Sequence, residues 1–299
     1  ELSNNFTYKL GEATKVLEIP SRNNYKFDGW YTTEDYQGQP VEKILVGSME
    51  NITLYAKWTE LAVDSITLDT TNVKKDYKGG EALSTDGLKI TAHWNDGSES
   101  TVESGFECDA EVINWNDEGK VTVTVTYQGK TASYEVNVTK NENSISDLTI
   151  QGWTYGDKAN EPSATASFGN ISYVYSDIED GEYSATVPTI AGTYYVKAVV
   201  EESQNYVGAT SEPVSFTIAK KALTLTTENK TVSISSVNEL VWEFTSEDFV
   251  NGDSLTEEVL ADLVVEYYQG EQKVDSLVAG QSYVVKFSGL EMSNYNITI

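Results

Sequence analysis

The chain holds one cysteine, one histidine, two methionines and five prolines in 299 residues. Cys108 therefore has no intrachain disulfide partner. A zinc site takes about four Cys, His or carboxylate ligands in close spacing, and the sequence offers no such cluster. Hydrolase machinery of the Ser-His-Asp or Cys-His type would have to run through His93, the single imidazole. Basic residues are scarce as well: 20 Lys+Arg stand against 47 Asp+Glu, a net charge of −27. Nucleic-acid binding rests on phosphate neutralisation by Lys and Arg, so this balance argues against it. No apolar run approaches the roughly 18 residues of a helical membrane span. The opening of the chain also lacks the basic-then-apolar order of a signal peptide. The expectation is a soluble acidic monomer without membrane insertion, with no catalytic residue, cofactor or metal assigned.

What is present points to strands. Hydrophobic residues make up 39% and aromatics 11%, a globular composition, and the acid is spread along the chain instead of forming a polyacidic tail. Glycine (21) and tyrosine (19) far outnumber proline (5), a bias toward strands and tight turns. Ile52, Leu54, Ala56 and Trp58 alternate with Thr53, Tyr55 and Lys57. Leu88, Ile90, Ala92 and Trp94 alternate with Lys89, Thr91 and His93. Val121, Val123, Val125 and Tyr127 alternate with threonines. Period two with polar residues outward predicts half-buried strands. Asn95-Asp-Gly97, Gln128-Gly-Lys130 and Gln269-Gly-Glu271 carry hairpin-turn chemistry. One short helix is expected, with Ser254-Leu-Thr-Glu257 as a capping box leading into Val259, Leu260 and Leu263.

Strand-rich runs end in short polar links at Thr59-Glu60, Lys140-Asn-Glu-Asn143 and Lys220-Lys221. These predict four modules, 1–60, 61–141, 142–219 and 220–299, each with a small core able to fold alone. An internal echo relates the last two. Ala191-Gly-Thr-Tyr-Tyr-Val-Lys197 followed by Glu202-Ser-Gln-Asn-Tyr206 is matched by Ala279-Gly-Gln-Ser-Tyr-Val-Val-Lys286 followed by Glu291-Met-Ser-Asn-Tyr295. After Tyr206 the third module runs on through Val214-Ser-Phe-Thr-Ile218, whereas the fourth has four residues left after Tyr295. Its closing strand is expected to be cut short. Short links predict an elongated array, with four modules end to end spanning roughly 100–160 Å.

Residues 25–59, with Tyr25-Lys-Phe-Asp-Gly-Trp-Tyr31 and Ile52-Thr-Leu-Tyr-Ala-Lys-Trp58, resemble the Listeria–Bacteroides repeat of internalin-like surface proteins. That resemblance implies a small β-grasp-like α+β unit, its opening strand falling on Asn5-Phe-Thr-Tyr-Lys-Leu-Gly11. Residues 63–139 resemble the group 3 bacterial immunoglobulin-like domain through Asp76-Tyr-Lys-Gly-Gly-Glu-Ala-Leu83, Gly87-Leu-Lys-Ile-Thr-Ala92, Asn95-Asp-Gly97 and Val121–Lys130. Seven or so short strands with turns every 8–12 residues agree with a sandwich. Residues 144–299 resemble the Tyr/Gly-rich MBG-type repeats of bacterial surface proteins. The expected fold is mainly β: one β-grasp-like unit, one immunoglobulin-like sandwich and two further β-rich modules.

Candidate site residues each have a bland counterpart. Trp58 and Trp94 share parity with Leu and Ile neighbours and read as core. Trp30 lies off the Phe27/Gly29/Tyr31 parity, and Trp115 and Trp153 sit near turns, so these three are the candidates for stacking on sugar rings. Tyr155, Tyr173, Tyr175, Tyr183, Tyr194, Tyr195 and Tyr206 form either a ligand platform or a Tyr-rich core. His93 reads as a solvated strand residue, and Cys108 as a small apolar one without a base to activate it. Asp177, Glu179, Asp180 and Glu182 surround Gly181 and read as a solvated loop; the EF-hand pattern that Ca²⁺ would need is missing. An intramolecular Lys–Asn crosslink has no pair singled out by the sequence.

The resemblances imply a non-catalytic segment of a secreted or wall-attached bacterial protein, Gram-positive by its lack of paired cysteines. It would act as adhesin or spacer toward a host or microbial surface protein or glycan. The alternatives are carbohydrate-binding modules, or an accessory region of a large extracellular glycan-active enzyme.

Overall fold

A computed structural model describes residues 14–299 and is mainly β throughout. The expected opening strand at Asn5–Gly11 lies outside the described residues. The chain divides into two compact units, Glu1–Lys140 and Asn141–Ile299.

In the first unit, Tyr25–Tyr31 pairs antiparallel with Tyr55–Glu60, and Lys15–Val16 pairs with Lys43–Ile44. Between residues 14 and 60 every regular element is a strand. The alternation expected over 52–58 is not realised: Ile52 is exposed, the strand begins only at Tyr55, and both of its faces are half-buried. The register of the main pair slips between Phe27 and Gly29, so Phe27 faces Trp58 and Trp30 faces Ala56. A bulge inserts one unpaired residue and turns the strand over by one position. Gly29, at φ 139°, takes a backbone shape that other residues rarely adopt, and a Cβ there would lie 2.7 Å from Pro40 Cβ.

Residues 63–139 form a two-sheet sandwich. One sheet has Val63–Asp69, Lys89–Trp94 and Glu99–Val102; the other has Glu107–Cys108, Lys120–Tyr127, Lys130–Thr139 and Asp76–Lys78. The first strand crosses over, since Val63–Asp69 joins one sheet while Asp76–Lys78 pairs parallel with Lys130–Thr139 in the other. The core draws on both inner faces: Val63, Ile66, Ile90 and Ala92 from the first, Val123, Val125, Val136 and Val138 from the second. Here the period-two reading holds, because both sheets have one face on the core and one in water. Gln128 and Gly129 both have positive φ, and Tyr127 pairs with Lys130, which makes the expected two-residue hairpin turn. The turn residue Asn95 also ties down the preceding link: its Nδ2 donates to the Glu60 carbonyl at 2.9 Å and its backbone N–H to that of Ala62 at 3.0 Å.

In the second unit, Trp153–Thr154, Val214–Ala219, Gly192–Val200 and Ile171–Ser176 lie in that order in one sheet. Further along the chain come a sheet ordered Gln272–Val274, Val264–Gln269, Val284–Ser288 and a parallel pair of Lys221–Thr224 with Tyr295–Thr298. The short helix exists, at Glu257–Ala261, but Thr256 caps it, accepting from the Val259 N–H at 3.3 Å. Ser254 does not serve, because Leu255 packs against the core and keeps the chain extended until Thr256. One apolar cluster includes Val196, Phe216 and Ile218 together with Leu223, Leu225, Leu290 and Tyr295. Residues 142–219 and 220–299 thus share a core.

The echoed segments are built alike. Asn141 N–H donates to the Asn205 carbonyl (2.8 Å), and Asn141 bridges in parallel to Tyr206. Lys221 N–H donates to the Asn294 carbonyl (2.9 Å) and pairs in parallel with Tyr295. In the outer sheet positions, Lys197 lies opposite Val174, as Lys286 lies opposite Glu266.

Candidate functional site

The aromatic candidates are absorbed by packing. Once the bulge has turned the strand, Trp30 lies on the Phe27 face, its ring 5.4 Å from that of Phe27, which in turn meets Trp58 edge-on at 5.3 Å. The Trp30 indole N–H donates to the Glu18 carbonyl at 3.0 Å. The expectation that Trp30 stands off the packed face is corrected by this bulge. Trp115 packs against the sandwich core and carries Lys140 Nζ over its ring at 4.0 Å. Trp153 stacks on Phe216 at 5.2 Å. Trp58 is half-buried, and Trp94 packs on the sandwich core with its indole N–H donating to Ser100 Oγ at 2.9 Å.

The tyrosine set divides. Tyr155 and Tyr175 are buried, and Tyr173 and Tyr194 pack on the same core. Burial pushes the Tyr175 hydroxyl pKa upward, as expected for a phenol shielded from water. Tyr183 lies under Lys197 Nζ at 4.3 Å and donates to the Glu179 carbonyl at 2.7 Å. Tyr206 lies flat against Phe168, with centroids 3.7 Å apart and planes 4° apart.

The structure brings one constellation together that the sequence did not announce. On the outer face of the first sandwich sheet, Thr67 Oγ1 is 3.0 Å from His93 Nε2, and His93 Nδ1 is 3.0 Å from Glu99 Oε1. Three adjacent strands supply a hydroxyl, an imidazole and a carboxylate in a row, the connectivity of a hydrolase triad. Its surroundings differ from those of an active site. The Thr67 and Glu99 side chains are exposed, and the row lies on the polar face of a paired sheet whose central-strand amides are spent on the ladder. Cross-strand polar pairing is what the row supplies.

Cys108 packs against the sandwich core; burial first, and the neighbouring Asp109 second, raise its thiol pKa, the opposite of nucleophile activation. The Asp177–Glu182 carboxylates lie in an exposed loop. Among the described residues no group of three or more His, Cys, Asp or Glu side chains is placed to hold a metal ion. An open groove of about 600 Å³ is lined by Lys220, Leu290, Met292, Tyr295 and Ile297. Two of its polar groups are engaged internally: Lys220 Nζ donates to the Met292 carbonyl at 3.3 Å, and Tyr295 Oη to Asp253 Oδ2 at 2.8 Å.

With this geometry in place, comparison with known proteins adds two segment matches. A family model described as the Listeria-Bacteroides repeat domain matches residues 2–57. A second, the bacterial Ig-like domain (group 3), matches residues 70–138. These two segments are similar to those module types. Both are non-catalytic kinds of domain. No curated protein matches the chain. Among solved structures, the N-terminal four Ig domains of Dscam1 isoform 6.9 align over 70% of each chain at 11% identity with a TM-score of 0.22. A likeness that low carries no argument, and the sandwich stands on its own strand order and core.

Proposed function

We propose that the chain is a non-catalytic segment of a secreted or wall-attached bacterial surface protein, serving as adhesin or stalk that presents a binding region. The observation that carries this reading is the tandem arrangement of small β-modules, two of them matching a surface-protein repeat and an Ig-like domain. Supporting it, the chain repeats one pairing device at the start of each half of the second unit: Asn141 bridges in parallel to Tyr206, and Lys221–Thr224 runs parallel to Tyr295–Thr298. We assign both to the MBG-like modules that their Tyr/Gly-rich sequence resembles. The partner is a surface protein or glycan of host or microbial origin, engaged by a monomer outside the cell. The high negative charge serves solubility and mutual repulsion.

The test is two-armed and uses the whole chain. A glycan array and a panel of extracellular-matrix proteins are probed for saturable binding, and a glycoside, peptide and ester panel is probed for turnover. Binding without turnover, or neither, fits a presenting or spacing segment. Turnover abolished by Thr67→Ala or Glu99→Gln would make the His93 row a catalytic site and overturn the reading.

A further inference from the structure

Val250-Asn-Gly-Asp253 holds the one Asn-Gly step in the chain. It is a tight turn: the Asp253 N–H donates to the Val250 carbonyl at 3.0 Å, and Asn251 (φ 56°) and Gly252 (φ 80°) both take the positive φ of a type I′ turn. Its flanks are held. Val250 lies against Gly156, where a Cβ would come within 2.4 Å of Val250 Cγ2, and the Val250 N–H donates to Tyr295 Oη at 3.1 Å. Asp253 Oδ2 accepts from both Tyr155 and Tyr295. The apex is bare. Asn251 and Gly252 are exposed, and a Cβ on Gly252 would meet nothing within 4 Å. Among the described residues, neither the Asn251 side chain nor the Gly252 N–H makes a hydrogen bond.

An asparagine followed by glycine is the one best placed to react with its own backbone. The following nitrogen and the side-chain carbonyl carbon belong to one chain, so attack closes a five-membered ring without a bimolecular encounter, and glycine has no side chain to obstruct it. The one Asn-Ser step, Asn143-Ser144, shows the protected case. There Asn143 Oδ1 accepts from Ser167 Oγ at 2.8 Å and from the Phe168 N–H at 3.2 Å, and its Nδ2 donates to the Phe168 carbonyl at 3.1 Å. The Ser144 N–H is itself engaged, with Asn143 Oδ1 and Ser167 Oγ each at 3.0 Å. Asn143 is pinned, and Asn251 is free to turn toward its neighbour.

We propose that Asn251 is a self-modification site, whose conversion loosens the joint between residues 142–219 and 220–299 as the protein ages. The Gly252 nitrogen gives its proton to water and bonds to Asn251 Cγ; the bond from Cγ to the side-chain nitrogen breaks, and ammonia leaves. Water, the only co-reactant, then opens the cyclic imide. Addition at Cγ breaks its bond to the Gly252 nitrogen and leaves aspartate. Addition at the main-chain carbonyl carbon breaks the other C–N bond and leaves isoaspartate, with the main chain running through Cβ and Cγ. That route adds one carbon, about 1.5 Å of path, between Val250 and Asp253. With Val250 held against Gly156, the extra length falls on Asp253. Its two bonds, at 2.9 and 2.8 Å, fail beyond about 3.5 Å, so a shift of that size breaks at least one.

The experiment ages the whole chain at mildly alkaline pH and maps the amide-to-acid mass change peptide by peptide. Conversion adds one negative charge, so anion exchange separates converted from unconverted chains for segment-resolved hydrogen exchange. Asn251→Gly, which keeps the positive φ and removes the reacting amide, is aged alongside. Asn251 is expected to convert about tenfold or more ahead of Asn143. Chains with isoaspartate at 251 should exchange about tenfold faster around Tyr155 and Tyr295, the effect of losing one charge-assisted hydrogen bond. Asn251→Gly should keep its exchange pattern throughout. Conversion at Asn143 with Asn251 intact, or converted chains that exchange like fresh ones, would overturn the proposal. Equal loosening of aged Asn251→Gly would trace the change to another lesion and overturn it too.

Discussion

Tyr155 and Tyr295 donate their hydroxyls to the same carboxylate oxygen, Asp253 Oδ2, at 2.9 and 2.8 Å, and their rings meet edge-on with centroids 5.5 Å apart. The Tyr295 hydroxyl in turn accepts from the Val250 N–H at 3.1 Å. One carboxylate thereby joins residues 142–219 to residues 220–299 at the rim of their shared core. Burial leads in raising the Tyr295 phenol pKa, and its bond to Asp253 adds to the rise.

Removing either hydroxyl takes away one charge-assisted hydrogen bond. Tyr155→Phe and Tyr295→Phe are each expected to cost about 1.5–3 kcal/mol, and the double variant less than the sum, because the two share one acceptor. Chemical denaturation of the four species of the cycle measures the coupling. Strict additivity would mean that the two phenols act independently.

The shared core carries a second consequence. Leu223, 1% exposed, touches a cluster that contains Val196, Phe216 and Ile218. Leu223→Ala is expected to cost about 2–5 kcal/mol and to loosen residues 142–219 and 220–299 together. Hydrogen exchange resolved by segment checks this; faster exchange confined to 220–299 would show that the two halves fold independently.

Tyr134 gives a pH dependence with a defined sign. Its hydroxyl is buried without a hydrogen-bond partner among the described residues, and burial pushes its pKa up to about 12, with lesser contributions from Cys108 and Tyr77. An unfolded tyrosine ionises near pH 10. The folded state therefore holds its proton longer, and the sandwich loses stability as pH rises from about 10 to about 12, with no contribution below that window. Tyr134→Phe should remove this alkaline loss. At neutral pH it should be neutral or stabilising by up to about 1 kcal/mol, since an unpartnered buried hydroxyl is deleted. Thermal melts of both proteins across pH 7 to 11 decide it.

The bulge beside Gly29 is open to a direct probe. Gly29→Ala must shift Pro40 and hold alanine at a φ near 139°, and is expected to cost on the order of 2 kcal/mol or more. Loss of the bulge would return Trp30 to the outer face, so its fluorescence should move to longer wavelength. An unchanged spectrum and melt would place the register shift elsewhere.

Much of the fold was legible because strand alternation and turn chemistry are local. Ile90 and Ala92, or Val123 and Val125, declare their buried face by their own spacing, and Gln128-Gly129 declares a turn by its tolerance of positive φ. The candidate surfaces were less legible. Trp30 was displaced from its apparent parity by an unpaired residue that only the partner strand reveals, and Ser254 lost the helix cap to Thr256 because Leu255 was drawn into the core.

The sequence by itself determined the β class, the positions of the turns, the segments matched to two module families and the echo between residues 191–206 and 279–295, since each is written in residues a few positions apart. Tertiary structure alone decided that Thr67, His93 and Glu99 line up across three strands, that Asp253 serves two tyrosines, and that residues 142–219 and 220–299 share one apolar cluster. Those outcomes depend on which strands become neighbours, and neighbours in a sheet are chosen by burial and register over long sequence separations.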